Sequence, residues 1–261
     1  MVRFGLDLPV SVLSYQAMVF WSLGFAERAA RTIEVAIAEA RASNHPGSLC
    51  FALAPAGFLL VKIGQLASAE RCIDELIEQS AKYSLVSYSA FGSCAKGSLL
   101  AVRGDIALAD ESLRTGLEAA RNVGYYLFYA FFLAERAALL ASLGRLDEGL
   151  AQVDVALRNA EASKSLWCVP EVLRIKGGLH AGSDASSPVA EECLLKSLEW
   201  ARGQEALSWE LRTATTLARM WHDRSRTAEA RDLLHRTYER FTESFETPDL
   251  VAARDLLSLL N

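Results

Sequence analysis

His222 and Asp223 are the residues that most resemble acid–base machinery, because an imidazole oriented by a carboxylate is the working part of many nucleophilic sites. Adjacent residues on a helix point about 100° apart, so this pair cannot form the hydrogen-bonded dyad such a site needs. His45 stands beside Pro46 in a turn, and His180 and His235 fall on helices with no histidine or cysteine one helical turn away, which removes the usual metal-ligand spacing. Cysteines at 50, 72, 94, 168 and 193 form no C-x-x-C pair and read as small buried apolar groups in a reducing compartment. No G-x-x-x-x-G-K-[ST] loop is present to cradle a phosphate. These residues predict no catalytic site, no metal and no cofactor, hence a chain that is not an enzyme.

Other residues have types suited to recognition. Met18, Trp21, Phe51, Phe58, Val61, Lys62, Phe91 and Phe131 run through the first part of the chain, and Glu171, Arg174, Arg212, Arg219, His222 and Asp223 through the last. On one shared surface they would make an apolar groove running into a charged one. Aromatic rings would hold the apolar part of an amphipathic ligand or peptide, and the guanidiniums would pair with a carboxylate or phosphate. The candidate binding residues are Met18, Trp21, Phe51, Phe58, Lys62, Phe91, Phe131, Arg174, Arg212 and Arg219. Each has a structural alternative. A phenylalanine on an inner helix can pack against the next repeat, and the three arginines can pair with Glu171, Glu210 and Asp223.

The elements that would position these residues follow from a repeat. Glycines stand at 24, 64, 104 and 144, an interval of 40 each time. Seven residues before each lies a small residue (Ala17, Gly57, Gly97, Ala137), and five after it another (Ala29, Ala69, Ala109, Gly149). Nine residues after it comes a large aliphatic: Ile33, Ile73, Leu113 and Val153. Antiparallel helices approach closely only where side chains are small, and the turn between them needs a residue tolerant of positive φ. Gly177 continues the series, but its turn falls in the loop-like stretch 181–188 with one extra residue, after which Ala190 and Leu194 take the small and aliphatic places. A sixth unit uses Ala218, Ser225, Ala230 and Leu234.

The pattern predicts an all-α fold, a right-handed α-α superhelix of about six helical hairpins of about 40 residues, forming a single unit over 1–261. The repeats run at about 9–45, 46–85, 86–124, 125–165, 166–204 and 205–243. A capping helix at 247–260 has Thr247 as cap, Pro248 at its first position, Asp249 in its first turn and an apolar stripe of Leu250, Ala253, Leu256, Leu257 and Leu260. The first helix, from Pro9 to Ser22, is apolar on most faces, which calls for self-association or for a further segment packed on it.

Composition agrees with this class. The chain is 51% hydrophobic and 23% charged with only 6 prolines, as a helical protein with ample apolar surface requires. A net charge of -5 argues against duplex nucleic acid as a direct partner. No apolar run approaches the ~20 residues of a membrane span, and Met1 to Pro9 lacks a signal-peptide pattern, so the expected location is the cytoplasm.

Small residues seven before and five after a turn glycine, with others at Ala36 and Ala156, resemble the tetratricopeptide repeat. The period is 40 rather than 34, and the closing proline is absent. The segments Glu171–Gly177, Trp209–Arg219, Ala228–Leu234 and Phe241–Leu250, with Gly5–Asp7, Trp21–Gly24 and Leu146–Leu150 earlier, are similar to the C-terminal helical arm of bacterial multidomain signalling proteins. Those proteins join a class III nucleotide cyclase or winged-helix domain to a P-loop ATPase module. The resemblance implies a sensor or coupling arm with a protein or peptide partner, an ATPase or cyclase module among the candidates.

Overall fold

A computed structural model describes residues 7–124, 126–184 and 186–260. Gly5 and Leu6 of the resemblance, Tyr125 at the expected start of the seventh helix, and Ala185 in the loop of the fifth repeat lie outside the described residues. Those described form thirteen α-helices: α1 Leu8–Ser22, α2 Ala26–Ala42, α3 Pro46–Lys62, α4 Leu66–Lys82, α5 Val86–Arg103, α6 Ile106–Asn122, α7 Tyr129–Ser142, α8 Leu146–Ser163, α9 Val169–Ser183, α10 Pro188–Gly203, α11 Leu207–Asp223, α12 Thr227–Tyr238 and α13 Pro248–Leu259. A short 3-10 turn, Leu166–Cys168, leads into α9.

The helices fall into two compact units, the first built on α1 to α6 and the second on α7 to α13. In the first unit α3 packs against α2, α4 and α5, and α5 also against α4 and α6. Tyr15 and Trp21 of α1 meet Phe51 and Phe58 of α3 edge-on, with ring centroids 5.6 and 5.5 Å apart. In the second unit α7, α9, α11 and α13 form one row of neighbours, with α8, α10 and α12 packed between them. The small residues act as the spacing predicts. A Cβ on Gly57 would lie 2.7 Å from Ile73, one on Gly97 2.7 Å from Leu113, and one on Gly177 2.8 Å from Leu194. The aliphatic of the second helix thus fills the notch left in the first.

Two turn series carry left-handed backbone. Within hairpins, Gly24, Gly64, Gly104 and Gly144 have φ of +93, +83, +89 and +76°, and Ser225 takes the same role at +62°. Among the described residues the fifth hairpin shows a different turn. There Asp184 is extended, and its carboxylate accepts hydrogen bonds from the Ser186 amide and hydroxyl at 2.8 and 2.7 Å before Pro188 opens α10. Between hairpins the left-handed residues are Asn44, Ser84, Gly124, Lys164 and Glu205, again about 40 apart but mostly not glycine. That is why composition hides them.

Among the helix starts described, a side-chain cap is formed at α3. His45 caps α3 through Nδ1, which accepts from the Ser48 amide at 3.1 Å, while the Asp7 amide donates to the Ser48 hydroxyl at 3.1 Å. This arrangement requires the neutral ring with its proton on Nε2. At α13 the expected side-chain cap is absent, because the Thr247 hydroxyl donates to the Ser244 carbonyl instead. Leu250, Ala253, Leu256 and Leu260 nevertheless bury against the last hairpin as predicted.

The glycines separate tight packing from spare space. On Gly116 of α6 an added Cβ would meet the Cys94 Sγ and amide nitrogen at 2.5 and 2.7 Å, whereas on Gly178 of α9 it would meet nothing within 4 Å. Gly116→Ala is expected to destabilise by about 1–3 kcal/mol through overpacking, and Gly178→Ala to stabilise by about 0.5–1 kcal/mol through helix propensity. Chemical denaturation of the two variants checks both signs.

Candidate functional site

The charged candidates meet in the second unit. α11 buries Trp209, Leu211, Ala214, Leu217, Ala218 and Trp221, which leaves Arg212, Thr216 and Arg219, at i, i+4 and i+7, on a single polar face. Arg174 comes alongside from α9 and Asp249 from α13. Beneath them Glu171 is buried. Arg174 grips it in bidentate fashion, Nε and Nη2 each at 2.8 Å, and Arg212 does so with Nη2 at 3.0 Å and Nε at 3.3 Å. Arg212 Nη1 also donates to Asp249 at 2.6 Å, and Arg174 Nη1 to the Thr216 hydroxyl at 3.3 Å. The Arg212 guanidinium lies 5.9 Å from the centre of the Trp209 ring, which continues into Trp167 and Phe131.

Burial alone would raise the pKa of Glu171. The two guanidiniums outweigh it and hold the carboxyl well below the usual range. Arg212 is held charged against its own burial by Asp249 and Glu171. Two cations and two anions make the cluster neutral as a whole. Arg219, by contrast, is exposed, and among the described residues no hydrogen bond or ion pair engages it. The layer therefore consists of a neutral, locked base and one free guanidinium two turns along the same helix face.

Carboxylates shared between guanidiniums recur in this unit. Buried Glu210 accepts from Arg202 and Arg240, and Glu191 from Arg226, Arg224 and the Trp221 indole. Of the pairings open in the sequence, Glu171 takes Arg174 and Arg212. Glu210 pairs instead with two arginines that the spacing did not single out. In the first unit, Glu70 is shared by Arg103 and Lys96, and these contacts lower its pKa to about 2. Lys96 also reaches Asp74 at 2.9 Å, and the residues 80 further on, Lys176 and Asp154, repeat that pair at 2.7 Å in the second unit.

The apolar candidates need correction. Trp21, Phe58, Phe91 and Phe131 are buried in the protein's own core and line no open groove. Their rings are consumed by packing between successive helices: Trp21 against Phe58, and Phe131 stacked on Trp167 at 5.7 Å. Met18, Phe51 and Lys62 remain partly exposed, with the Lys62 ammonium 5.6 Å from the Phe58 ring centre. His222 meets the Thr227 hydroxyl at 3.3 Å. Asp249, Trp167 and Trp209 belong to the site without having been candidates. Asp249 stood out only as a helix-dipole residue, and nothing in the repeat register marks a contact made from beyond the last hairpin.

Among the described residues no group of histidine, cysteine and carboxylate side chains could hold a metal ion, and no helix is long and apolar enough to cross a membrane.

This architecture is an all-α helical repeat of the tetratricopeptide type, as solved structures bear out. The apo form of RapI is similar with a TM-score of 0.65 at 10% identity, over 97% of this chain and 86% of that one. A Rap protein complexed with competence and sporulation factor gives 0.60 at 15% identity, over 97% and 75%. A signal transduction ATPase with numerous domains from Pyrococcus horikoshii, which has a tetratricopeptide-repeat sensor, gives 0.53 at 15% identity, over 95% of this chain and 38% of that one. The sequence matches no protein-family model, and no curated protein matches it significantly.

Glu171→Gln leaves two guanidiniums over an uncharged amide and is expected to cost about 3–5 kcal/mol, as does removal of one partner from a buried ion pair. Because the folded-state pKa of Glu171 is lowered, its contribution is present above about pH 4.5 and is lost as pH falls, since the unfolded chain takes up that proton first. Thermal melts between neutral and strongly acidic pH should fall less steeply for the variant than for the wild type.

Proposed function

We propose that this chain is a non-catalytic interaction module, a sensor or coupling arm that holds a protein or peptide segment on the polar face of α11. The observation that carries the reading is the row Arg212, Thr216 and Arg219, whose outer member is exposed and has no internal partner while the inner one is fixed by Glu171. A preorganised guanidinium loses little rotamer freedom on meeting a carboxylate or phosphate, and a second, mobile one extends the contact along the helix. A tetratricopeptide-repeat sensor in a similar signalling ATPase, and the Rap complex with competence and sporulation factor, support such a role for this fold. An ATPase or cyclase module is the partner that the sequence resemblance favours.

A second reading rests on Asp249. Its carboxylate, supplied by the terminal helix, occupies Arg212 in the way a ligand carboxylate would. A free-standing sensor would bind an amphipathic, anionic ligand by displacing it.

A synthetic array of acidic, leucine-containing peptides tests the reading with the full chain. Arg219→Glu should weaken the best binder by about tenfold or more, the value of a charge-assisted contact replaced by repulsion, with the melting temperature unchanged. Equal binding by this variant and the wild type would remove α11 as the surface. Asp249→Asn should strengthen binding if the second reading holds and leave it unaltered if the partner touches only Arg219.

A further inference from the structure

Four residues of α1 make an open apolar seam. Leu8, Val12, Tyr15 and Val19 are 71, 55, 55 and 54% exposed. At 100° per residue they fall within an arc of about 60°, opposite the buried Val10, Ser14, Ala17 and Trp21. Their spacing of four, three and four is that of the seam between two helices in a coiled coil. α1 has no charged side chain anywhere along its length.

The 40-residue register says what this face does elsewhere. Forty residues on, the same positions of α3 are Ser48, Ala52, Pro55 and Leu59. Eighty on, those of α5 are Tyr88, Gly92, Ala95 and Leu99. Most are buried, and a Cβ on Gly92 would strike Ile77 of α4 at 2.8 Å. This is the face on which an internal hairpin receives the outer helix before it. There the central positions are small, Ala52 and Gly92 above all, so that the outer helix can approach closely. On α1 the corresponding residue is Val12, followed by Tyr15 in place of Ala95. A helix docking as α4 docks would collide with them, so the seam suits a helix that interdigitates at a larger distance.

We infer that the occupant is α1 of a second copy of this chain, packed antiparallel about a two-fold axis. The spacing is symmetric about its own centre, so antiparallel pairing sets Leu8 against Val19 of the other copy and Val12 against its Tyr15, larger against smaller at each contact. Two helices without charge meet no like-charge repulsion, as a self-complementary interface requires. The lack of lysine and arginine along α1 disfavours a membrane surface, which would need basic residues beside the apolar stripe. This inference is independent of the α11 reading, since it uses no residue of the second unit.

Sedimentation of the full chain across a concentration series tests it. The wild type should form dimers, and Val12→Glu with Val19→Glu should weaken dimerisation on the order of a hundredfold or more by burying unpaired charge. Both sites are exposed, so circular dichroism and the melting temperature of the monomer should not change. For orientation, Val12→Cys mixed with Tyr15→Cys, each in a Cys72→Ser background, should cross-link faster than either alone. A wild type that stays monomeric, a dimer indifferent to the two glutamates, faster cross-linking of Val12→Cys with itself, or monomer bound to anionic vesicles would each overturn the proposal.

Discussion

Everything in this molecule depends on how closely two antiparallel helices can approach within a hairpin. Where Gly57, Gly97 and Gly177 face Ile73, Leu113 and Leu194, there is no room for even a methyl group, and Gly149 presses in the same way on the Ala137 carbonyl. Dispersion and burial reward that contact only at short range, so the aliphatic residue and the notch must stay in register. In the first four hairpins the notch and the aliphatic stand sixteen residues apart, and the fifth keeps the same contact with one residue more in its turn. The core is therefore a series of local contacts, each between neighbouring helices, as expected of a repeat architecture.

Charge plays a different part. A buried carboxylate is costly unless it is fully paired, and Glu171, Glu210 and Glu191 are each met by two guanidiniums, mostly from different helices. Such hubs fix the relative placement of α9, α11 and α13 and of the segment after α12, where hydrophobic contact alone would allow sliding. Arg219 is set apart by its place, in line with Arg212 and Thr216 on α11 and without an internal partner among the described residues.

Much of the fold was legible because it obeys one spacing. The turn glycines, the paired small residues and the stripe of α13 are visible as letters, and the helices fall within a few residues of where they were expected. The largest differences lie at α7, which begins only after the turn around Phe128, and at α12, which stops at Tyr238 so that Arg240 can reach Glu210 and Phe241 can bury. The site was less legible for a physical reason. An aromatic residue on an inner helix has the same letter whether it lines a groove or fills the gap to the next helix, and Phe91 and Phe131 turned out to do the second. Asp249 was hidden because its role depends on a contact 37 residues away in sequence.

The joints between hairpins have a further consequence. Asn44, Ser84, Lys164 and Glu205 hold a left-handed backbone that side-chain-bearing residues adopt reluctantly, at a cost of about 1–2 kcal/mol each. Glycine would remove that cost, and at the equivalent joint Gly124 already does. The chain therefore carries several exposed joints where a single change to glycine would relieve backbone strain without altering a packed contact.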